Sequence, residues 1–325
     1  MTKYLTSKDI ARIAGVSQTT VSLVLRNKWE GRVRESVAKH VKQICEENNY
    51  RTNHVARILK SGHSNTIALV VPDSENPFFS EILHSITQLS NKDGDFCLLI
   101  ETNNNPAWYS YIEDSILGKA IDIAIICYNN LPKRNPLVDK KIIFLNDYHL
   151  NTNSISIDFR KAAEEAVSLL HSHGYRHMVH VCGSIVKETF TARREGFTKA
   201  CDSMGIFHSE IISHGYTNNN IYEQLLNLHD KYTYPLAFFV DDDLLTYGIY
   251  RFANEKNLVI GKDIGIISMD DTLLCRCYSP YLSSYGYDVQ KLSLKIIEMI
   301  TSMRKGEMDQ QHVTFEMKLN EGSSF

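Results

Sequence analysis

The stretch TSKDIARIAGVSQTTVSLVL, Thr6 to Leu25, decides how the amino-terminal part of this chain folds. Thr6 can cap a helix whose third position is Asp9, and Ile10, Ile13 and Ala14 follow at helical spacing as an apolar face. Gly15 stops that helix and Val16 anchors the turn. Ser17 can then cap a second helix, in which Val21, Val24 and Leu25 make the buried stripe while Gln18, Thr19, Ser22 and Leu23 stay outside. Isolated helices below about 12 residues are marginal in water, so a third must complete the core. RVRESVAKHVKQICEENNY supplies it, with Val37, Val41, Ile44 and Cys45 as the apolar face. The predicted head is a three-helix unit with a helix-turn-helix at its front.

A chain of 325 residues predicts two or three domains, and 43% hydrophobic residues with seven prolines describe ordered globular protein. No run approaches the roughly 18 apolar residues that cross a bilayer, and MTKYLTSKDI lacks the apolar stretch of a secretory signal. A cytoplasmic protein with no membrane partner is expected. The seven cysteines lie mostly in apolar segments and read as reduced core fillers. Cys275 and Cys277 are too closely spaced for a metal knuckle, and no metal or cofactor is expected. Charge is unevenly spread. Residues 1–62 hold 12 Lys+Arg against 5 Asp+Glu, whereas the remainder holds 23 against 33, so the head alone is suited to a polyanion.

That combination predicts DNA as the partner. The major groove admits one helix, and the first residues of a recognition helix lie nearest the base edges. Gln18 can make the paired contact that an adenine edge offers, Thr19 can touch a thymine methyl, and Ser17 with the amides at the helix start suits phosphate.

The run from DIARIAGVSQTTVSLVL through NNYRTNHVARILKSGHSNTIALVVP resembles the lactose-repressor/galactose-repressor family of bacterial transcription factors, and the match continues through nearly the whole chain. The resemblance implies base contacts by Gln18 and Thr19, and phosphate or positioning contacts by Thr6, Ser17, Thr20, Ser22, Tyr50 and Asn53. It also places Leu59, with Ala56 on the same segment, at a hinge helix whose leucine wedges into the minor groove. Residues 53–60 are about two helical turns with no partner in the head, so DNA and a second subunit would have to order them. This chain departs from the family pattern at Leu23, where an arginine is usual, so a guanine contact is lost there. Arg26 adds a phosphate-seeking charge, and Arg34 replaces a serine that commonly caps the third helix.

From Thr66 the rhythm changes. TIALVV, FCLLI, IDIAII, KIIFL, MVHVC, EIIS, LAFFV and DIGIIS read as strands, alternating with helices such as NPFFSEILHSITQLS, KAAEEAVSLLHSHG and TARREGFTKACDSMG. The expected fold is an all-α helix-turn-helix head plus an α/β body. The body should comprise two doubly wound parallel-sheet subdomains, like a periplasmic binding protein, with a ligand cleft between them. The expected boundaries are 1–52 for the head, 53–64 for hinge helix and linker, and 65–325 for an effector-binding and dimerisation domain. Within it, subdomain one takes about 65–158 plus 288–306, and subdomain two about 159–287 plus 312–325.

Ligands of such sheets gather at the strands' carboxyl ends. The resemblance implies an effector pocket there, with Phe78 and Phe79 as walls and Asn146, Arg193, Asp242 and Asp270 as polar contacts. A basic family position falls at Lys187 or at Thr191, and Tyr287 replaces a ligand-facing glutamine. Amides and carboxylates suit sugar hydroxyls, so a carbohydrate effector is expected and a strongly anionic one is disfavoured. Asp243 reads as a helix N-cap. The histidines of HSHGYRHMVH cross from a helix end into a strand and scatter, and no G-x-S-x-G, phosphate-loop or G-x-G-x-x-G motif is present, so no catalysis is expected.

The reading is a repressor that binds a near-palindromic operator as a homodimer, allosterically controlled by the effector. Its dimer surfaces would lie around Ile82, Ile86 and Leu89 and along Asp243 to Phe252. The alternative is a solute-binding or sugar-processing protein on the same body.

Overall fold

The computed structural model describes residues 5–50, 63–72, 74, 76–91, 94–102, 105, 107–127, 135–146, 152–183, 188–213, 220–307 and 311–325. The chain divides into two compact units, Met1–Ser64 and Asn65–Phe325. The hinge segment 53–60, with Asn53, Ala56 and Leu59, lies outside the described residues, as does Lys187.

The head is built from α1 (Ser7–Ile13), α2 (Gln18–Leu25) and α3 (Glu35–Glu47). Ile10, Ala11, Ala14, Val21, Val24, Ala38, Val41, Ile44 and Cys45 form its core. Thr6 and Asp9 close a reciprocal capping box, and Gly15 turns the chain at φ +63°. Two expectations shift. Ile13 is 46% exposed, because a stripe centred on Ile10, Ala11 and Ala14 leaves it on the flank, and the small Ala11 is buried instead. Leu25 is half-buried rather than part of the fully buried stripe.

The body holds two six-stranded sheets. The first runs β11-β5-β4-β3-β1-β2, all parallel, from β1 (Thr66–Val71), β2 (Phe96–Glu101), β3 (Ile123–Ile126), β4 (Ile142–Leu145), β5 (Ser154–Ile157) and β11 (His312–Phe315). The second runs β12-β10-β9-β8-β6-β7, from β6 (His177–Cys182), β7 (Phe207–Ile212), β8 (Leu236–Val240), β9 (Ile264–Met269), β10 (Ser283–Gly286) and the antiparallel β12 (Lys318–Asn320). Central strands such as IAII, IIFL and LAFFV are buried along their whole length, as parallel sheets covered on both faces require.

Around the first sheet lie α4 (Pro77–Ser90), α5 (Trp108–Leu117), α6 (Pro136–Asp139) and α11 (Val289–Lys305). The second carries α7 (Phe159–Ser172), α8 (Glu188–Met204), α9 (Asn220–Leu228) and α10 (Tyr247–Glu255). The two faces of β1 show how the layers fill. Ile67, Leu69 and Val71 pack in the core with Ile82 and Ile86 of α4 and Ile296 of α11, while Ala68 and Val70 pack with Trp108, Ile112 and Ile116 of α5.

The chain crosses between subdomains after β5, after β10 and after β11. The last crossing corrects an expected boundary, since 312–315 pairs with β5 in the first sheet, and the second sheet takes 318–320, with 322–324 bonded alongside it. His312 is seated there by a 2.8 Å hydrogen bond between its Nδ1 and Ser154 Oγ.

Of the expected dimer surfaces, Ile82, Ile86, Ile249 and Phe252 are buried in the chain's own cores, while Leu89, Tyr247 and Tyr250 are half-buried and Arg251 is exposed. Exposed apolar side chains sit on the edge strand β2, where Phe96 is 59% and Leu98 48% exposed. Among the described residues no helix is long and apolar enough to cross a membrane.

Asp243 is corrected in role. The cap of the 3-10 turn Asp243–Thr246 is Asp242, whose side chain accepts from Leu244 N–H. Asp243 is buried behind it and accepts four hydrogen bonds. Ser268 Oγ (2.5 Å) and Ser284 Oγ (2.7 Å) donate to Oδ1, and Thr272 N–H (2.6 Å) and Oγ1 (2.9 Å) donate to Oδ2. One carboxylate thereby ties β9, β10 and the following loop to the start of α10. Asp243→Ala leaves four buried donors without an acceptor and is expected to cost roughly 3–5 kcal/mol of body stability by urea denaturation. A loss below about 1 kcal/mol would refute the hub.

Candidate functional site

In the head, Ser17 Oγ accepts Thr20 N–H at 3.0 Å and lies 2.9 Å from Thr20 Oγ1, so the start of α2 is capped and its first side chains are held in order. Gln18, Thr19 and Arg26 are exposed, and Thr20, Ser22 and Leu23 are half-buried at the flank. Gln18 Nε2 donates to Ser7 Oγ at 2.6 Å. Ser7 was not singled out from sequence, yet it holds Gln18 of α2 against α1. Its only sequence signal is its place beside the Thr6 cap. Arg34 sits at the N-cap of α3 with no side-chain capping bond, as the replacement of serine there implies. The head therefore offers an ordered polar row at a helix N-terminus, with the basic Arg26 at the other end of the same helix.

In the body, aspartates gather at the carboxyl ends of β8 and β9. Arg193, buried on α8, binds them. Its Nη1 donates to the Asp241 carbonyl at 2.6 Å, its Nη2 pairs with Asp270 Oδ1 at 3.1 Å, and its guanidinium lies 4.0 Å from the Phe159 ring centroid. Asp270 has φ +96°, an uncommon left-handed backbone for a non-glycine, which directs its carboxylate at Arg193. Burial, and then the neighbouring Asp242, Asp243 and Asp241, hold the Asp270 carboxyl well above the usual carboxylate range despite Arg193.

Phe78 meets Phe79 at 5.0 Å and Tyr287 at 5.8 Å, both edge-to-face. The Tyr287 hydroxyl and the Oδ1 of Asn146, which follows β4 at φ +62°, are buried with no hydrogen-bond partner. A buried donor or acceptor left unmade is costly, so both groups are suited to a polar ligand. Burial raises the Tyr287 phenol, with the nearby Asp270, Cys127 and Glu81 adding to it.

Of the effector residues expected from sequence, Arg193, Asp242 and Asp270 come together, and Phe78, Phe79 and Tyr287 form one aromatic group. Thr191 is exposed on α8, half a turn around from buried Arg193. Asp242 is also joined to Asn76.

The pairing of one core histidine escaped sequence reading. His180 of β6 is fully buried between Phe197 and Phe239, with its Nε2 2.8 Å from Asp241 Oδ1 and its Nδ1 3.7 Å from Glu210 Oε1. Glu210 is gripped by Arg194 through Nε at 2.5 Å and Nη2 at 2.6 Å. A line of polar contacts thus runs Arg194, Glu210, His180, Asp241, Arg193, Asp270. His180 and Arg194 hold Glu210 down to about 2. The other histidines of the same stretch occupy separate settings, His173 against Phe325 and His177 against Phe207 and Tyr232.

Comparison with known proteins follows the same division. Residues 6–53 match the profile of bacterial regulatory proteins, lacI family, and residues 167–325 that of the periplasmic binding protein-like domain. The HTH-type transcriptional repressor PurR of Histophilus somni (strain 2336) is 27% identical over 321 residues, covering 96% of each chain. Catabolite control protein A of Priestia megaterium is 28% identical over 305 residues, 90% of this chain and 91% of that one. The lac repressor dimer bound to operator and the anti-inducer ONPF superposes with a TM-score of 0.80 at 21% identity, over 99% of both chains. A transcriptional regulator CelR–cellobiose complex superposes at 0.67 with 18% identity, over 99% of this chain and 100% of that one.

The buried histidine makes a pH prediction. Burial alone would lower its pKa, but Asp241 and Glu210 outweigh that and raise it above 6.5. Stability from the imidazolium is therefore fully present below pH 6.5 and lost as pH rises through the raised value. Thermal melts of the purified protein should fall across that alkaline limb, and His180→Gln should flatten the fall. A wild-type profile with no downward limb that His180→Gln removes would contradict a charged core histidine.

Proposed function

We propose that this chain, whose residues 6–53 match the bacterial regulatory proteins of the lacI family and whose residues 167–325 match the periplasmic binding protein-like domain, is a transcriptional repressor that reads a near-palindromic operator as a homodimer and answers to a carbohydrate effector. The observation that carries the DNA reading is the Ser17-capped helix whose first turn presents Gln18 and Thr19 to solvent, in a segment, residues 1–62, that holds 12 Lys+Arg against 5 Asp+Glu. The relatives it matches include an HTH-type transcriptional repressor and a catabolite control protein.

A homodimer is supported by the target and by the surface. One head buries too little for tight selective binding, and a two-fold pair reads two half-sites at once. The exposed Phe96 and Leu98 of the β2 edge are suited to the same strand of a second copy. The carbohydrate reading is supported by the Arg193–Asp270 pair and by the unpartnered Asn146 and Tyr287 atoms, which match hydroxyls able both to donate and to accept. The effector changes operator affinity only to the extent that it favours one arrangement of the body over another.

Selection of duplexes from a random pool should return a near-palindrome. On that duplex Gln18→Ala should weaken binding about 5- to 100-fold while leaving nonspecific DNA nearly unaffected. Equal losses on both would remove the base contact. Calorimetric titration with neutral sugars, sugar phosphates and nucleobases then tests the effector class, and heat from nucleobases alone would replace carbohydrate. Phe96→Asp with Leu98→Asp should shift the protein to monomer in analytical ultracentrifugation; an unchanged dimer would move the interface elsewhere.

A further inference from the structure

We propose that Asn76 and Asp242 form a clasp, one hydrogen bond between the caps of two helical segments, that holds the two subdomains in register across the effector cleft. Asn76 stands before α4 in the first subdomain. Its Oδ1 accepts Phe78 N–H at 2.8 Å, which commits that atom to the helix cap. Asp242 stands before the turn 243–246 in the second subdomain. Its Oδ1 accepts Leu244 N–H at 2.8 Å, which commits that atom to its own cap. Between the two caps, Asn76 Nδ2 donates to Asp242 Oδ2 at 2.5 Å.

The two caps therefore fix the polarity of the clasp. Position 76 presents a donor and position 242 an acceptor to one another, since Oδ1 of each is engaged in its own cap. The pair is 6% and 2% exposed, so water competes little and an ionised acceptor strengthens the bond. The neighbouring links between α4 and the second subdomain are less directional. Glu81 Oε1 accepts Leu273 N–H at 3.3 Å, and Phe78 meets Tyr287 by ring contact where the chain crosses into α11. Asp242 also follows Asp241, whose carbonyl receives Arg193. A ligand bound beside Arg193 meets the clasp one residue away.

The consequence for DNA rests on the sensor reading above, whereas the clasp itself can be tested apart from it. Asn76→Asp keeps a good cap but sets a second carboxylate against Asp242. Asp242→Asn also keeps a good cap but sets an amide donor against the Asn76 donor. Each single variant of the full chain should melt lower by roughly 3–8 °C. The double variant Asn76→Asp/Asp242→Asn reverses donor and acceptor and should melt within about 2 °C of the parent.

Additive losses in the double variant, or single variants that melt like the parent, would overturn the clasp. A capping or packing role alone predicts no rescue. Should a single variant fail to fold, recovery of a folded double variant supports the clasp and failure of both overturns it. Affinity for the selected duplex is the second readout. Asn76→Asp should change it about tenfold or more and the double variant should restore it. Melting rescue with unchanged duplex affinity in all three variants would keep the clasp and overturn its link to DNA.

Discussion

Four carboxylates crowded at the carboxyl ends of two adjacent strands can exist in a protein interior only if each is satisfied by a partner of its own, and the second subdomain is arranged around that constraint. Asp241 has the His180 imidazole and the Gly183 amide. Asp242 has the Leu244 amide and Asn76, Asp243 has three hydroxyls and an amide, and Asp270 has Arg193. The partners come from β6, α8, β9, β10 and, through Asn76, from the other subdomain. The same chemistry that makes the site polar enough for a small ligand thus also joins the elements that surround it.

The head solves the opposite problem. It must keep polar groups exposed and still hold them in a fixed orientation, which flexible side chains resist. Neighbouring hydroxyls do this: Ser17 orders the start of α2, and Ser7 receives Gln18. Preorganisation of this kind lowers the ordering entropy that binding must overcome. It also explains why a row of small polar residues, rather than long basic ones, begins the helix, while Arg26 at its far end adds charge without crowding the base-facing side.

Much of this organisation was legible in the residues. Continuous apolar runs marked the buried parallel strands, and Thr6, Asp9 and Ser17 marked helix starts, because capping and burial are local properties. Long-range pairings were not. SISI of β5 carries serines at alternate positions and looks too polar for a buried strand until His312, 158 residues away, bonds Ser154. His180 and Asp241 are 61 residues apart, and no local pattern distinguishes an imidazolium in a core from an ordinary strand histidine. In DDD, three identical side chains take three roles, as core counter-ion, clasp and hub, because successive residues leaving a strand face different directions.

The topology then accounts for why so small a contact as one amide–carboxylate bond can matter to a body of this size. Three strands of chain join the subdomains, after β5, β10 and β11, and covalent crossings limit how far the lobes separate without choosing among nearby orientations. The continuous core shared by residues of both sheets is non-directional and tolerates small rotations. Selection among orientations falls to contacts with strict geometry, and of the polar links that α4 makes to the second subdomain, Asn76 to Asp242 is the shortest and has both partners anchored by a helix cap. A bistable body needs few such contacts, since each one removed or replaced shifts a population rather than unfolding a domain.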